Sequence, residues 1–113
     1  MIFAVATDER TLIAFDSEAA AVAACEGLDV EAADWLFWDG RGNPLEPLFS
    51  VPNKRGLFVV QNGVYSLVPA KRDHHANLDE ALDEVLNFES PPPFNNAESV
   101  REYLTGRAGG NEA

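Results

Sequence analysis

The amino-acid sequence predicts an α+β domain: a mainly antiparallel sheet of about six strands, with one helix after the first hairpin and two C-terminal helices packed on it. β-rich runs open the chain and recur through its middle. The middle runs are joined by turn residues without helical crossovers, which disfavours a parallel sheet. Helix signals are confined to one segment after the first two runs and to the C-terminal third.

The runs "IFAVA" and "TLIAF", separated by the polar turn "TDER", form an expected N-terminal hairpin. In "DSEAAAVAACEGL", Asp16 or Ser17 serves as N-cap, Glu18 lies in the first turn and Gly27 is placed to end the helix. "DWLFWD" is apolar on both alternating faces, so a strand here is covered on one side and at least partly on the other. "DGRGNP" is a turn by composition. "LEPLFSV" is a weaker strand, which Pro47 confines to an edge or a bulge. "LFVVQ" and "VYSLV" flank Asn62-Gly63, the strongest hairpin signal in the chain. "NLDEALDEVLNF" has the helical period. "ESPPPF" is a rigid break, and "NAESVREYL" is a last short helix stopped by Gly106.

The chain has 113 residues, enough for one domain with a real core; residues 1–106 are assigned to it and 107–113 to a flexible tail. The single cysteine, Cys25, cannot form an internal disulfide or complete a thiolate zinc site. "MIFAVATDERTL" has no basic region before its apolar residues, and the run is too short for a membrane span, so a reducing, cytoplasmic setting is expected. Eight Lys and Arg stand against 19 Asp and Glu, a net charge of −11. Such a surface repels nucleic acid and anionic membranes and attracts basic proteins.

Within "NLDEALDEVLNF", the helical period puts Leu78, Ala81, Leu82, Val85 and Leu86, with Phe88, on one side, as core. Asp79, Glu80, Asp83 and Glu84 fall on the other. A charge run of this kind is usually a solvated helix face. No Lys or Arg lies within the segment, however, so like charges face each other, which makes the row a candidate docking surface. His75, Asp79 and Asp83 would align as metal ligands if the helix began early, but no His-x-x-x-His or Glu-x-x-His accompanies them, and no EF-hand glycine. No metal or cofactor is expected. The sequence also lacks a nucleophile elbow, a phosphate loop and a dinucleotide fingerprint, and Glu26 beside Cys25 raises rather than lowers the thiol pKa. The expectation is a non-enzyme. On the strand 34–39, one tryptophan is core, while Trp38 beside Asp39 is a candidate interface anchor.

The layout of "MIFAVATDERTLIAFDSEAAAVAA", "WLFWDGRGNPLEP" and "LDEALDEVL" in a small acidic α+β chain resembles the bacterial immunity proteins of polymorphic toxin systems, including contact-dependent growth inhibition and type VI secretion. The resemblance uses no diagnostic motif and transfers no residue by position. It implies a monomer that binds a cognate toxin domain, often a basic nuclease, one to one and blocks its active site or substrate groove. The partner-binding candidates are Asp79, Glu80, Asp83, Glu84, Trp38 and Asp39. The rival expectations are a dimeric acidic secretion chaperone and a small metal-dependent enzyme built from His74, His75 and the acidic helix.

Overall fold

Strand β1 (Ile2–Ala6) is central because both of its faces are apolar. In the computed structural model, which describes residues 1–71, 74–90 and 92–106, its side chains alternate between two cores. Ile2 and Ala4 join Cys25, Phe37, Tyr65 and Leu67. Phe3 and Val5 join Leu12, Trp38, Leu78, Leu82 and Val100. Successive strand residues point to opposite faces, so the cores lie on either side of the sheet.

β2 (Thr11–Phe15) and β3 (Trp35–Trp38) flank β1 antiparallel, setting Ile13 and Phe37 on either side of Ala4. β4 (Pro44–Val51) pairs with β3 at its start. β5 (Lys54–Arg55) and β6 (Val60–Gln61) form a separate two-stranded finger. β7 (Val64–Pro69) returns along β4, and β8 (Asn87–Phe88) runs parallel to β2. The main sheet has six strands in the order β7-β4-β3-β1-β2-β8, antiparallel except for the last pair. Helices α1 (Glu18–Ala24) and α2 (Gly27–Glu31) contact one face. α3 (Leu78–Ala81) and α4 (Ala97–Leu104) contribute Leu78 and Val100 to the core on the other. No helix among the described residues is long and apolar enough to cross a membrane.

The α+β class and the six-stranded, mostly antiparallel sheet agree with the sequence reading, but the membership of the sheet does not. Asn62-Gly63 does not close a hairpin between its neighbours. Val60 and Gln61 pair back onto Lys54 and Arg55, while β7 pairs with β4, making residues 52–63 an insertion between two long strands. Longer-range bonds outweigh the two-residue turn. Asn62 Oδ1 accepts from Leu28 N at 2.9 Å, Gly63 N donates to Asn53 Oδ1 at 2.7 Å, and Asn53 Nδ2 donates to Gly27 O at 3.0 Å. The place of the lost strand is taken by β8, which the helical period of the acidic segment conceals.

The helix expected over "DSEAAAVAACEGL" divides in two. Ser17 Oγ caps α1 by accepting from Ala20 N at 3.1 Å, but the chain turns extended at Cys25 and Gly27 opens α2 rather than ending α1. A Cβ on Gly27 would stand 2.6 Å from Asn53 Oδ1, at the base of the finger, so a larger residue there would displace the side chain that holds Gly63 N. Pro47 occupies an edge only locally. The β3–β4 ladder stops at Leu45, so the proline, opposite Leu67, has no ladder partner on its other side. The outer edge of β7 is protected by Glu18, whose carboxylate accepts from Leu67 N at 3.0 Å. The last helix is as expected: Asn96 caps it through Ser99 N, and Gly106 follows it at φ +82°. The expected tail 107–113, Arg72 and Asp73 of "RDHH" and Pro91 of "ESPPPF" lie outside the described residues.

Candidate functional site

Alternation along β1 and β3 brings Val5, Leu36 and Trp38 to one face of the sheet, and the acidic segment crosses that face above them. Between them lies a cleft of about 410 Å³, within the size range of small-ligand sites. Its floor is apolar, made by Val5, Leu36, Trp38, Ala81 and Val85. Arg10, His75, Glu80 and Glu84 supply its polar rim.

The acidic segment is not one helix. After α3 the chain tightens into a 3-10 turn at Leu82–Glu84, and Val85 is already extended, at φ −80° and ψ 129°. Leu86 N and Asn87 N then donate to Arg10 O at 2.8 and 3.2 Å, drawing the chain into β8. The period changes from helix to strand at this point. Leu78 and Leu82 are buried and Val85 half-buried, as expected, but Leu86, expected in the core, is 69% exposed.

The four carboxylates divide into two pairs with different surroundings. Arg101, on α4, reaches Asp79 Oδ1 at 3.0 Å, Asp83 Oδ1 at 2.8 Å and the Asp79 carbonyl at 3.0 Å. These contacts, to Asp83 first and Asp79 second, push the guanidinium pKa up. The expectation of an unpaired acidic row is therefore corrected for Asp79 and Asp83: their cation comes from elsewhere in the chain. Glu80 and Glu84 line the cleft instead. Glu84 is 3.9 Å from Arg10, an exposed pair worth at most about 1 kcal/mol. Glu80 has no ion-pair partner among the described residues. Arg10 sits at φ +52°, a left-handed conformation uncommon for a residue with a Cβ, and its carbonyl and guanidinium both engage the segment 84–87.

Trp38 is only 1% exposed and donates from Nε1 to Ala76 O at 2.7 Å. It is core rather than an exposed anchor, and forms the floor of the cleft. Asp39 stabilises the β3–β4 turn. Its Oδ1 accepts from Arg41 N and Asn43 N at 2.8 and 3.0 Å, while Gly42 takes the left-handed position at φ +83°. Its carboxylate is thus already engaged by backbone.

His75 stands edge-on to Trp38, with ring centroids 5.0 Å apart. Its Nε2 lies 3.0 Å from Phe37 O, which can only accept, so Nε2 carries the proton and Nδ1 accepts from His74 Nδ1 at 2.7 Å. Burial is the main cause that lowers the His75 pKa, reinforced by His74 and opposed by the Phe37 bond and Glu46. The folded protein therefore keeps this ring neutral where an unfolded chain, titrating near 6.5, protonates it. Its contribution to stability is complete above that pH and is lost as pH falls through it toward the lower folded value. Denaturant unfolding at about pH 7.5 and 5.5 should show the stability difference between wild type and His75→Gln shrinking at the lower pH. A constant or growing difference contradicts the assignment.

Asp79 and Asp83 face Arg101 while His75 faces Phe37, so the metal alignment considered from the sequence is not assembled. No group of three or more His, Cys, Asp or Glu side chains placed to hold a metal occurs among the described residues. Cys25 is buried, and its thiol is pushed up to about 12, first by desolvation and then by the charge of Asp29, where the sequence had pointed to Glu26. Sequence reasoning missed Arg10 and Arg101 as parts of this site, and set His75 beside the acidic segment only as a metal ligand, whereas it stands on the rim of the cleft with both ring nitrogens engaged. Only the amphipathic period of α4 hinted that Arg101 stands on the rim of a buried face. Comparison with protein-family models, curated proteins and solved structures finds no match.

Proposed function

We propose that this chain is a non-catalytic binding protein that neutralises a basic partner domain, as its resemblance to toxin-immunity proteins implies. The supporting observation is the cleft, where an apolar floor ending in Trp38 lies beneath Glu80 and Glu84 in a chain of net charge −11. That combination suits an Arg or Lys side chain of a partner. The stem packs on the floor, and the cationic head meets the rim carboxylates. A nuclease groove offers such side chains because it binds phosphate, and filling it with carboxylates blocks the substrate. The long-range field of the acidic surface speeds encounter and disfavours acidic competitors. In this reading the protein acts in the cytoplasm, forms a one-to-one complex with its partner, and needs neither metal nor cofactor.

The carboxylates that carry this reading are Glu80 and Glu84, which line the cleft. Co-expression with the polypeptide encoded immediately upstream, followed by titration calorimetry, provides the assay. Glu80→Lys with Glu84→Lys is expected to weaken the complex by at least about 100-fold. Asp79→Asn with Asp83→Asn, whose charges Arg101 already offsets, should change it by less than about threefold. Absence of a complex, or an equal response of the two pairs, refutes the reading.

A further inference from the structure

The finger formed by residues 52–63 departs from the rest of the molecule in hydropathy and in charge. Leu57 and Phe58, at its tip, are 90% and 93% exposed, and Val59 and Val60 beside them are also exposed. Its base is braced: Asn53 and Asn62 bond to α2 and to Gly63, so the apolar tip is held out in water by a fixed hairpin. Residues 47–72 contain Lys54, Arg55, Lys71 and Arg72 and no carboxylate; the rest of the chain carries all 19 carboxylates against four cations. An exposed apolar cluster rimmed by charge marks an interaction surface.

We propose that this finger inserts into the Trp38-floored cleft of a second copy of the chain. The occupant follows from complementarity. An apolar tip with Lys54 and Arg55 beside it fits an apolar cleft with Glu80 and Glu84 on its rim, and this chain carries both halves. Nucleic acid or an anionic membrane would meet the cationic finger favourably but be repelled by the strongly acidic remainder. Each copy offers one finger and one cleft, and insertion that is reciprocal between two copies closes a two-fold dimer in place of an open head-to-tail chain. The inference rests on the reading of the cleft as a receptor for a basic, apolar segment. The partner domain would then displace the second copy, giving the one-to-one complex from a self-blocked resting form.

Sedimentation equilibrium of the purified full chain, from micromolar to millimolar concentration, tests this. Wild type is expected to dimerise reversibly and more weakly at high salt. Leu57→Ser with Phe58→Ser, Lys54→Glu with Arg55→Glu, and Glu80→Lys with Glu84→Lys should each raise the dissociation constant by at least about tenfold. All these side chains are exposed, and the folded state of each variant is checked by circular dichroism. Combining the two charge reversals in one chain should restore dimerisation. A monomeric wild type, a dimer indifferent to the finger, or failure of the combined reversal to restore it overturns the proposal. A monomer whose finger instead binds anionic vesicles assigns the tip to a lipid surface and also overturns it. Calorimetry of the Leu57→Ser, Phe58→Ser chain with the upstream-encoded domain keeps the two readings apart: retained affinity leaves the proposed function standing when self-association fails, and lost affinity places the finger in the partner interface.

Discussion

Leu82→Ala is expected to lower the unfolding free energy by about 2–5 kcal/mol, while Leu86→Ala changes it by less than about 0.5 kcal/mol. The two leucines are equivalent by helical periodicity, so the contrast measures where the period breaks. Leu82 is 2% exposed and packs with Leu12, Trp38 and Val100, so truncation loses both transfer energy and the contacts around the resulting cavity. Leu86 is 69% exposed because the extended backbone at Val85 and the bonds to Arg10 O have turned it outward. Denaturant unfolding of both variants checks the contrast. Similar losses at the two positions would show a continuous helix, which would remove the arrangement that places Glu80 and Glu84 at the cleft.

Gly63→Ala should cost about 2–3 kcal/mol, toward the upper end of what overpacking produces, whereas Gly56→Ala in the same finger should stay within about 0.5 kcal/mol. A Cβ on Gly63 would run into Val51 O and stand 2.6 Å from Pro52 C and 2.8 Å from Asn53 N, all backbone atoms that no rotamer change can move. At Gly56 the nearest atom is Val59 O, at an ordinary 3.6 Å. The clash falls where β4 leaves the main sheet, so the variant also strains the Gly63 N–Asn53 Oδ1 bond that braces the finger. Hydrogen exchange should be faster at Gly63 and Leu28, whose amides depend on the two asparagines. A Gly63→Ala protein as stable as wild type, with unchanged exchange, would mean that the finger is not closed by these contacts.

The elements read correctly from sequence are those set by local chemistry. The β-rich run "IFAVA", the two-faced strand "DWLFWD", the turn residues of "DGRGNP" and the short helix of "NAESVREYL" each depend on groups within a few residues, and each appears where expected. The errors arise where distant groups compete with a local preference. Asn62-Gly63 favours a tight hairpin, but its side chain and backbone are drawn to Leu28 and Asn53. Gly27 is a reasonable helix stop until Asn53 packs against it, and "DEVLNF" reads as helix until Arg10 O captures two of its amides.

The site follows the same division. That these residues form an acidic α+β domain, with Leu78 and Leu82 inside and four carboxylates outside, was determined by the sequence alone, because composition and short periods suffice for it. Which carboxylates remain available was decided only by the tertiary structure. Asp79, Glu80, Asp83 and Glu84 are alike in sequence, and Arg101, 22 residues beyond Asp79, becomes the neighbour of two of them through the packing of α4 on the shared core. The other two line the cleft with Arg10, His75 and the Trp38 floor. Coulomb attraction and desolvation depend on distance in space, and folding brings together groups that chain order keeps apart.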